Sequence, residues 1–161
     1  MTIDDPTVCQ KGIAALLRAL ETVRDTRGET KGKGKGKGGS DPRIVVLSTC
    51  GISKAGWDFP VLTLPLYRLM LNVPHKDKKV LEARLAESGE RYTIVRPSLL
   101  GDGEGEKKKK IRVGVEDWVG GVESKAVGYT ISREDTGRWI YENLIEGREG
   151  TFENKIVSIT W

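Results

Sequence analysis

Cysteine and histidine are almost absent from this chain. Cys9 and Cys50 are its two cysteines and His75 its single histidine. Two distant cysteines make no disulfide framework, and without a CxxC pair or a Cys/His cluster there is no zinc or iron–sulfur motif. Long apolar runs are missing too. The longest, Phe59–Leu71, is interrupted by Pro65 and Arg68 and falls short of the ~20 residues that cross a bilayer. Met1-Thr-Ile-Asp-Asp-Pro has neither a basic start nor an apolar core, so it does not read as a signal peptide, and a cytoplasmic protein is expected. The net charge of +4 is not a basic face. Arg27–Ser40 carries five cations against Glu29, and the rest of the chain is neutral in sum. No aromatic residues interleave those lysines to stack bases, which argues against nucleic acid as a partner.

What is present suits a single α/β domain over residues 1–161. Asp4-Asp5-Pro6 reads as a helix start, an acidic cap followed by proline at the first helical position. Ile13, Leu16, Leu17, Leu20 and Val23 then recur at helical spacing on one apolar face, and the helix fades near Asp25. Residues 27–41 alternate lysine and glycine and bury too little to offset their ordering entropy, so a flexible insert is expected. Gly34-Lys-Gly36-Lys-Gly-Gly39 formally matches G-x-G-x-x-G. It follows a helix and leads into a strand, the reverse of the order a pyrophosphate site needs, and it is rejected.

Ile44–Leu47 and Tyr92–Val95 are apolar, β-branched runs without polar alternation, as in parallel strands covered on both faces. Val61–Asn72 reads as a short proline-interrupted helix or lid. Lys76–Ser88 reads as a helix with Val80, Leu81 and Leu85 inward, ended by Gly89. Farther on, Ile111–Val115 and Val127–Ile131 are strand candidates, and Ser132-Arg-Glu-Asp135 resembles a capping box that opens a helix toward Leu144. Lys155–Trp161 is a last strand. Strands alternating with helices predict an α/β fold with a doubly wound parallel sheet.

Three stretches carry candidate chemistry. Arg43-Ile-Val-Val-Leu-Ser-Thr-Cys-Gly51 ends a strand in two hydroxyls, where ligands of such sheets bind. Lys78 stands four residues before Glu82 on a helix that ends in Ser88-Gly89. Tyr92-Thr-Ile-Val-Arg-Pro-Ser-Leu-Leu-Gly101 is a strand halted by proline, whose fixed φ and missing N–H stop the ladder. Together they resemble the carboxyl-terminal half of the atypical short-chain dehydrogenase/reductases, the group that joins flavin- and biliverdin-reductase-like proteins with NmrA-like proteins. The resemblance covers roughly residues 5–26 and 42–161 and implies a partial Rossmann-like sheet with a small C-terminal region on the substrate side and Lys155–Trp161 as its last edge strand. It implies binding of NADP or NAD, with Thr49 as the catalytic serine or threonine and Ser48 beside it. It also implies that Lys78 holds the nicotinamide ribose and that Pro97, Ser98 and Leu99 line the ring. The substrate would be a small carbonyl or conjugated molecule. The usual proton-donating tyrosine, four residues before the lysine, falls on Pro74. His75 and Tyr67 are the nearby substitutes, and a non-catalytic NmrA-like dinucleotide sensor is the alternative function.

The same resemblance implies a half that is not in this sequence. The glycine-rich strand–helix turn for the pyrophosphate and the acidic residue for the adenosine ribose have no counterpart here. Weak cofactor binding is therefore expected of this chain alone, or none if it is a degenerate fragment. Ile44–Leu47 would be left with an unpaired edge open to self-association.

Overall fold

The computed structural model describes residues 4–28, 42–54, 64–103, 109–147 and 150–161, with backbone only for 64–70. The lysine-glycine insert from residue 29 onward and part of the expected lid lie outside them. The elements run α1 (Val8–Arg27), β1 (Ile44–Leu47), α2 (Leu64–Glu87), β2 (Tyr92–Pro97), β3 (Leu99–Gly101), β4 (Arg112–Asp117), β5 (Gly121–Ser124), β6 (Thr130–Ser132), α3 (Arg133–Ile140) and β7 (Lys155–Thr160).

Five strands form one sheet in the order β1-β2-β7-β4-β5, and β3 pairs with β6 in a second, two-stranded sheet. β1, β2 and β7 are parallel, while β4 runs antiparallel to both β7 and β5. The sheet is thus mixed, parallel where the candidate site lies and antiparallel beyond it. β7 is central rather than the last edge strand, because the β4–β5 hairpin adds to its outer side. The short strands β3 and β5 carry no alternating apolar signal of their own, and their pairing comes from tertiary contacts.

Side-chain alternation splits the core into two layers. On one face Ile44, Tyr92, Ile94 and Ile156 pack with Ile13 of α1 and Leu85 of α2. On the other, Val95, Val157 and Ile159 pack with Ile131, Trp139 and Leu144. Every residue of β2 is buried, as a doubly covered strand requires. β1 is covered on one face only: Val45 and Leu47 are 37% and 46% exposed on the side facing away from α1 and α2.

The helices depart from the sequence reading in instructive ways. α1 starts at Val8, after Thr7, and Asp5 accepts from the Thr7 amide and hydroxyl instead of capping the helix. The cap comes from α2, where Asp77 accepts from the amides of Cys9 and Gln10 at 2.8 and 3.0 Å. On α1, Ile13 is buried and Leu17 and Leu20 pack on the core, but Leu16 and Val23 lie outside it. Arg24 is buried in their place, in a two-bond ion pair with Glu90. α2 is one helix of 24 residues that passes through Pro74, so Val61–Asn72 and Lys76–Ser88, expected as separate segments, join within it from Leu64 onward. Pro74 removes one intrahelical N–H, and packing along the rest of the helix outweighs that loss. Ser132 caps α3 by accepting from the Asp135 amide. Asp135 does not reciprocate as in a full capping box, because its carboxylate goes to the Trp161 indole and to Arg138. The chain continues past α3 as one π-helical turn, Tyr141–Ile145.

Candidate functional site

β1 and β2 end side by side, in a register that pairs Leu47 with Val95. Beyond that pair the chains stay joined: the Ser48 amide donates to the Val95 carbonyl at 2.7 Å, and the Cys50 amide to the Pro97 carbonyl at 3.1 Å. Ser48 and Thr49 are therefore held at the carboxyl ends of the parallel strands, where open α/β sheets bind ligands. Hydroxyls at such turns commonly satisfy nearby backbone groups. Ser48 does not. Its hydroxyl is buried and has no hydrogen-bond partner among the described residues. A buried hydroxyl left unpaired costs about 1–3 kcal/mol, so its occurrence calls for an explanation.

Lys78 comes to the same place from α2. Its ammonium donates to the Leu47 carbonyl at 3.3 Å, immediately before Ser48. Its neighbours Lys76 and Lys79 are exposed, while Lys78 is half-buried, so position singles it out as the motif did. Asp77 helps orient the helix. Burial pushes its carboxyl up, but the Cys9 and Gln10 amides outweigh that and hold it below the ordinary carboxylate value. These amides at the start of α1 are consequently occupied by a carboxylate of the same chain.

His75 lies inside α2, not in a loop. Burial first, then Lys79 and Lys78, lower its pKa below 6.5, so it is neutral near pH 7. Tyr67 falls within α2 at a position where only the backbone is described.

Pro97 ends β2 but is itself paired with Ile159 of β7, and the bonding runs on past it, so the next amides are not released. Ser98 donates to the Ile159 carbonyl and Leu99 to that of Tyr129. The Ser98 hydroxyl is also committed, to Thr160 at 2.9 Å. A ligand beside Pro97, Ser98 and Leu99 would meet the exposed Leu99 side chain, 52% accessible, rather than free donors.

The Arg96 guanidinium is buried between two carboxylates, in paired bonds to Glu82 at 3.0 and 2.6 Å and a third to Glu116 at 2.9 Å. Glu116 also accepts from Ser53 at 2.7 Å. Sequence reading missed Asp77, Glu116 and Ser53, whose partners lie 68, 20 and 63 residues away and leave no local pattern.

Trp139 is buried in the core, and Trp118 and Trp161 pack at its rim under Lys54 and Lys109. A groove of about 430 Å³ between α1 and α2 lies toward the amino ends of the strands, beside Glu90, away from this chemistry. Among the described residues no cluster of His, Cys, Asp or Glu is able to hold a metal, and no helix is long and apolar enough to cross a membrane.

A parallel-dominated sheet between helical layers, with hydroxyls and a lysine gathered at its strand ends, is the frame of a Rossmann-like dinucleotide-binding protein. The chain belongs to the NAD(P)H-binding family, whose model matches residues 39–146. It is 46% identical over 173 residues to the reductase pytE of Aspergillus terreus, covering 99% of this chain and 60% of that protein. It is 34% identical over 169 residues to the oxidase pynE of Aspergillus niger, covering 98% of this chain and 58% of that one. The chain thus spans about three-fifths of the length of the curated relatives it matches. The fold is similar to that of a short-chain dehydrogenase/reductase from Veillonella parvula solved in complex with NADP. That match has a TM-score of 0.65 at 16% identity, over 98% of this chain and 60% of that one. A Rossmann-fold NAD(P)-binding family protein from Shigella flexneri matches with a TM-score of 0.51 at 17% identity, over 99% and 56%.

Proposed function

We propose that this chain is the nicotinamide-side part of an NAD(P)H-dependent reductase acting on a small carbonyl or conjugated substrate. The observation that carries the reading is the buried Ser48 hydroxyl, without a partner among the described residues, with the Lys78 ammonium on the carbonyl of the preceding residue. A sugar hydroxyl placed there would satisfy Ser48, and Lys78 would exchange one backbone carbonyl for ribose oxygens. These residues fit the ribose end of a nicotinamide dinucleotide, which when bound supplies the hydride. Thr49 would donate to the substrate carbonyl oxygen and draw charge toward it. Leu99, beside Pro97 and Ser98, would exclude water from the ring. The relatives' names, a reductase and an oxidase, agree on redox chemistry and leave its direction open.

The pyrophosphate has no cradle among the described residues, since the α1 amides are held by Asp77. Binding by this chain alone is therefore expected to be weak. Titration with NADPH and NADH, followed by cofactor fluorescence, tests the reading. Binding should weaken about tenfold or more in Lys78→Ala, the scale of a hydrogen bond to a charged donor. A folded chain that shows no binding at millimolar cofactor would refute the site.

Pro74 favours a second reading. It stands four residues before Lys78, where the related dehydrogenases carry their proton-donating tyrosine, and it lies inside a continuous helix. A non-catalytic dinucleotide sensor would need no such donor. It would bind NADPH without consuming it when offered quinones, flavins or aldehydes, whereas a reductase would oxidise it.

A further inference from the structure

Charge arithmetic at Arg96 does not close on itself. The guanidinium is 1% exposed, and Glu82 alone already takes it in a two-bond pair, both partners being almost fully buried. A second carboxylate, Glu116, is nevertheless drawn to the same cation, its side chain only 12% exposed. Among the described residues, one positive and two negative groups meet there, an excess charge in a poorly solvated place. Desolvating that carboxylate costs free energy which the shared cation only partly offsets. What Glu116 gains besides Arg96 is Ser53, whose hydroxyl donates to the same Oε2 atom. Ser53 belongs to the loop that follows Thr49.

That loop is tied down along its whole described length. The Cys50 thiol donates to the Arg96 carbonyl at 3.2 Å and the Cys50 amide to that of Pro97. Ile52 is 2% exposed. The Lys54 ammonium lies 3.7 Å from the centre of the Trp118 ring, two residues beyond Glu116. Meanwhile Glu82 stands one helical turn after Lys78, so the bonds that hold Glu82 also set the rotation of the helix that presents Lys78. Loop and helix are referenced to one guanidinium.

We propose that Glu116 and Ser53 are positioning residues: through Arg96 they latch the loop of residues 48–54 against β4 and hold Thr49 in register with Lys78. The functional sense of the latch rests on the nicotinamide-side reading above, but its existence is testable without cofactor. Cys50 is a native reporter, a residue of the loop itself that is buried at 3% exposure. In a Cys9→Ser background, the rate at which a soluble thiol reagent labels Cys50 measures opening of the loop. Ser53→Ala should raise that rate about tenfold or more, the factor that a hydrogen bond to a charged acceptor contributes to a local opening equilibrium. Glu116→Gln should do the same and Ser53→Thr should restore protection, while labelling of Ser53→Ala should stay independent of urea well below the unfolding midpoint, as a local opening requires. Unchanged labelling in Ser53→Ala would overturn the latch. So would labelling that rises only in step with global unfolding. NADPH titration of the same variants separates the two ideas. Parent binding that weakens in Ser53→Ala supports both. Absence of binding by the parent removes the nicotinamide reading, while the labelling result still decides the latch.

Discussion

At Arg96 a single side chain decides how much of the site survives. Its guanidinium meets one fully buried carboxylate, Glu82, and one partly buried one, Glu116, and removing it takes that cation from both. Breaking a buried pair from one side costs about 3–5 kcal/mol, far more than the ~0–1 kcal/mol of an exposed pair such as Lys11–Asp5. Arg96→Met is therefore expected to lower unfolding free energy by about 3–5 kcal/mol in urea denaturation, and a loss under about 1 kcal/mol would contradict the buried network. His75 gives a pH signature. Burial and the two flanking lysines lower its pKa below 6.5, so the unfolded chain takes up the proton first as pH falls. The unfolded state then holds more protons, and stability drops as pH decreases from about 7 through the unfolded value. The urea midpoint of the parent should fall more between pH 7 and pH 5 than that of His75→Gln. Parallel falls would show that His75 titrates alike in both states.

Among the elements, β4 is the one most closely fitted to its neighbours. Gly114 opposes Ser158 of β7, and a Cβ there would lie 2.6 Å from the Ala126 amide and 3.1 Å from the Ser124 carbonyl. Both are backbone atoms with no flexible end to move aside. Gly114→Ala should cost about 1–3 kcal/mol, the usual penalty of overpacking, read as a lower melting temperature; an unchanged melting temperature would mean that the 124–126 segment yields freely. The same strand supplies Glu116 to Arg96 and to Ser53, so its placement bears on the site as well as on the core. α2 plays the matching part on the helical layer. It caps α1 through Asp77, anchors Arg96 through Glu82 and carries Lys78 between them.

On the scale of the whole molecule, the sheet has two edges, β1 and β5. β5 is four residues long, Gly121–Ser124, with Glu123 and Ser124 in it, whereas β1 is apolar, with Val45 and Leu47 exposed and no further strand on its outer edge among the described residues. Such an edge pairs readily with another chain. The chain is expected to self-associate on size-exclusion chromatography, and Leu47→Lys should shift it toward the monomer. A clean monomer from the parent would argue that the edge is already protected. The relatives, longer by about two-fifths of their own length, are where strands that cover this edge are to be sought.

Much of this was legible in the chain itself. Apolar β-branched runs placed β1 and β2, helical spacing placed α1 and the second half of α2, and the strand-end motifs gathered Ser48, Thr49, Lys78 and Pro97 in one neighbourhood. These signals are local, since residues two or four apart share a face wherever the element ends up. Tertiary structure decided the rest. The central place of β7, the passage of α2 through Pro74, the loss of Leu16 and Val23 from the core and the pairing of Arg96 with Glu82 and Glu116 all depend on groups distant in sequence. So does the lack of a partner for the Ser48 hydroxyl among the described residues, because whether a buried hydroxyl finds a partner depends on which strands and side chains close over it, and no spacing along the chain records that.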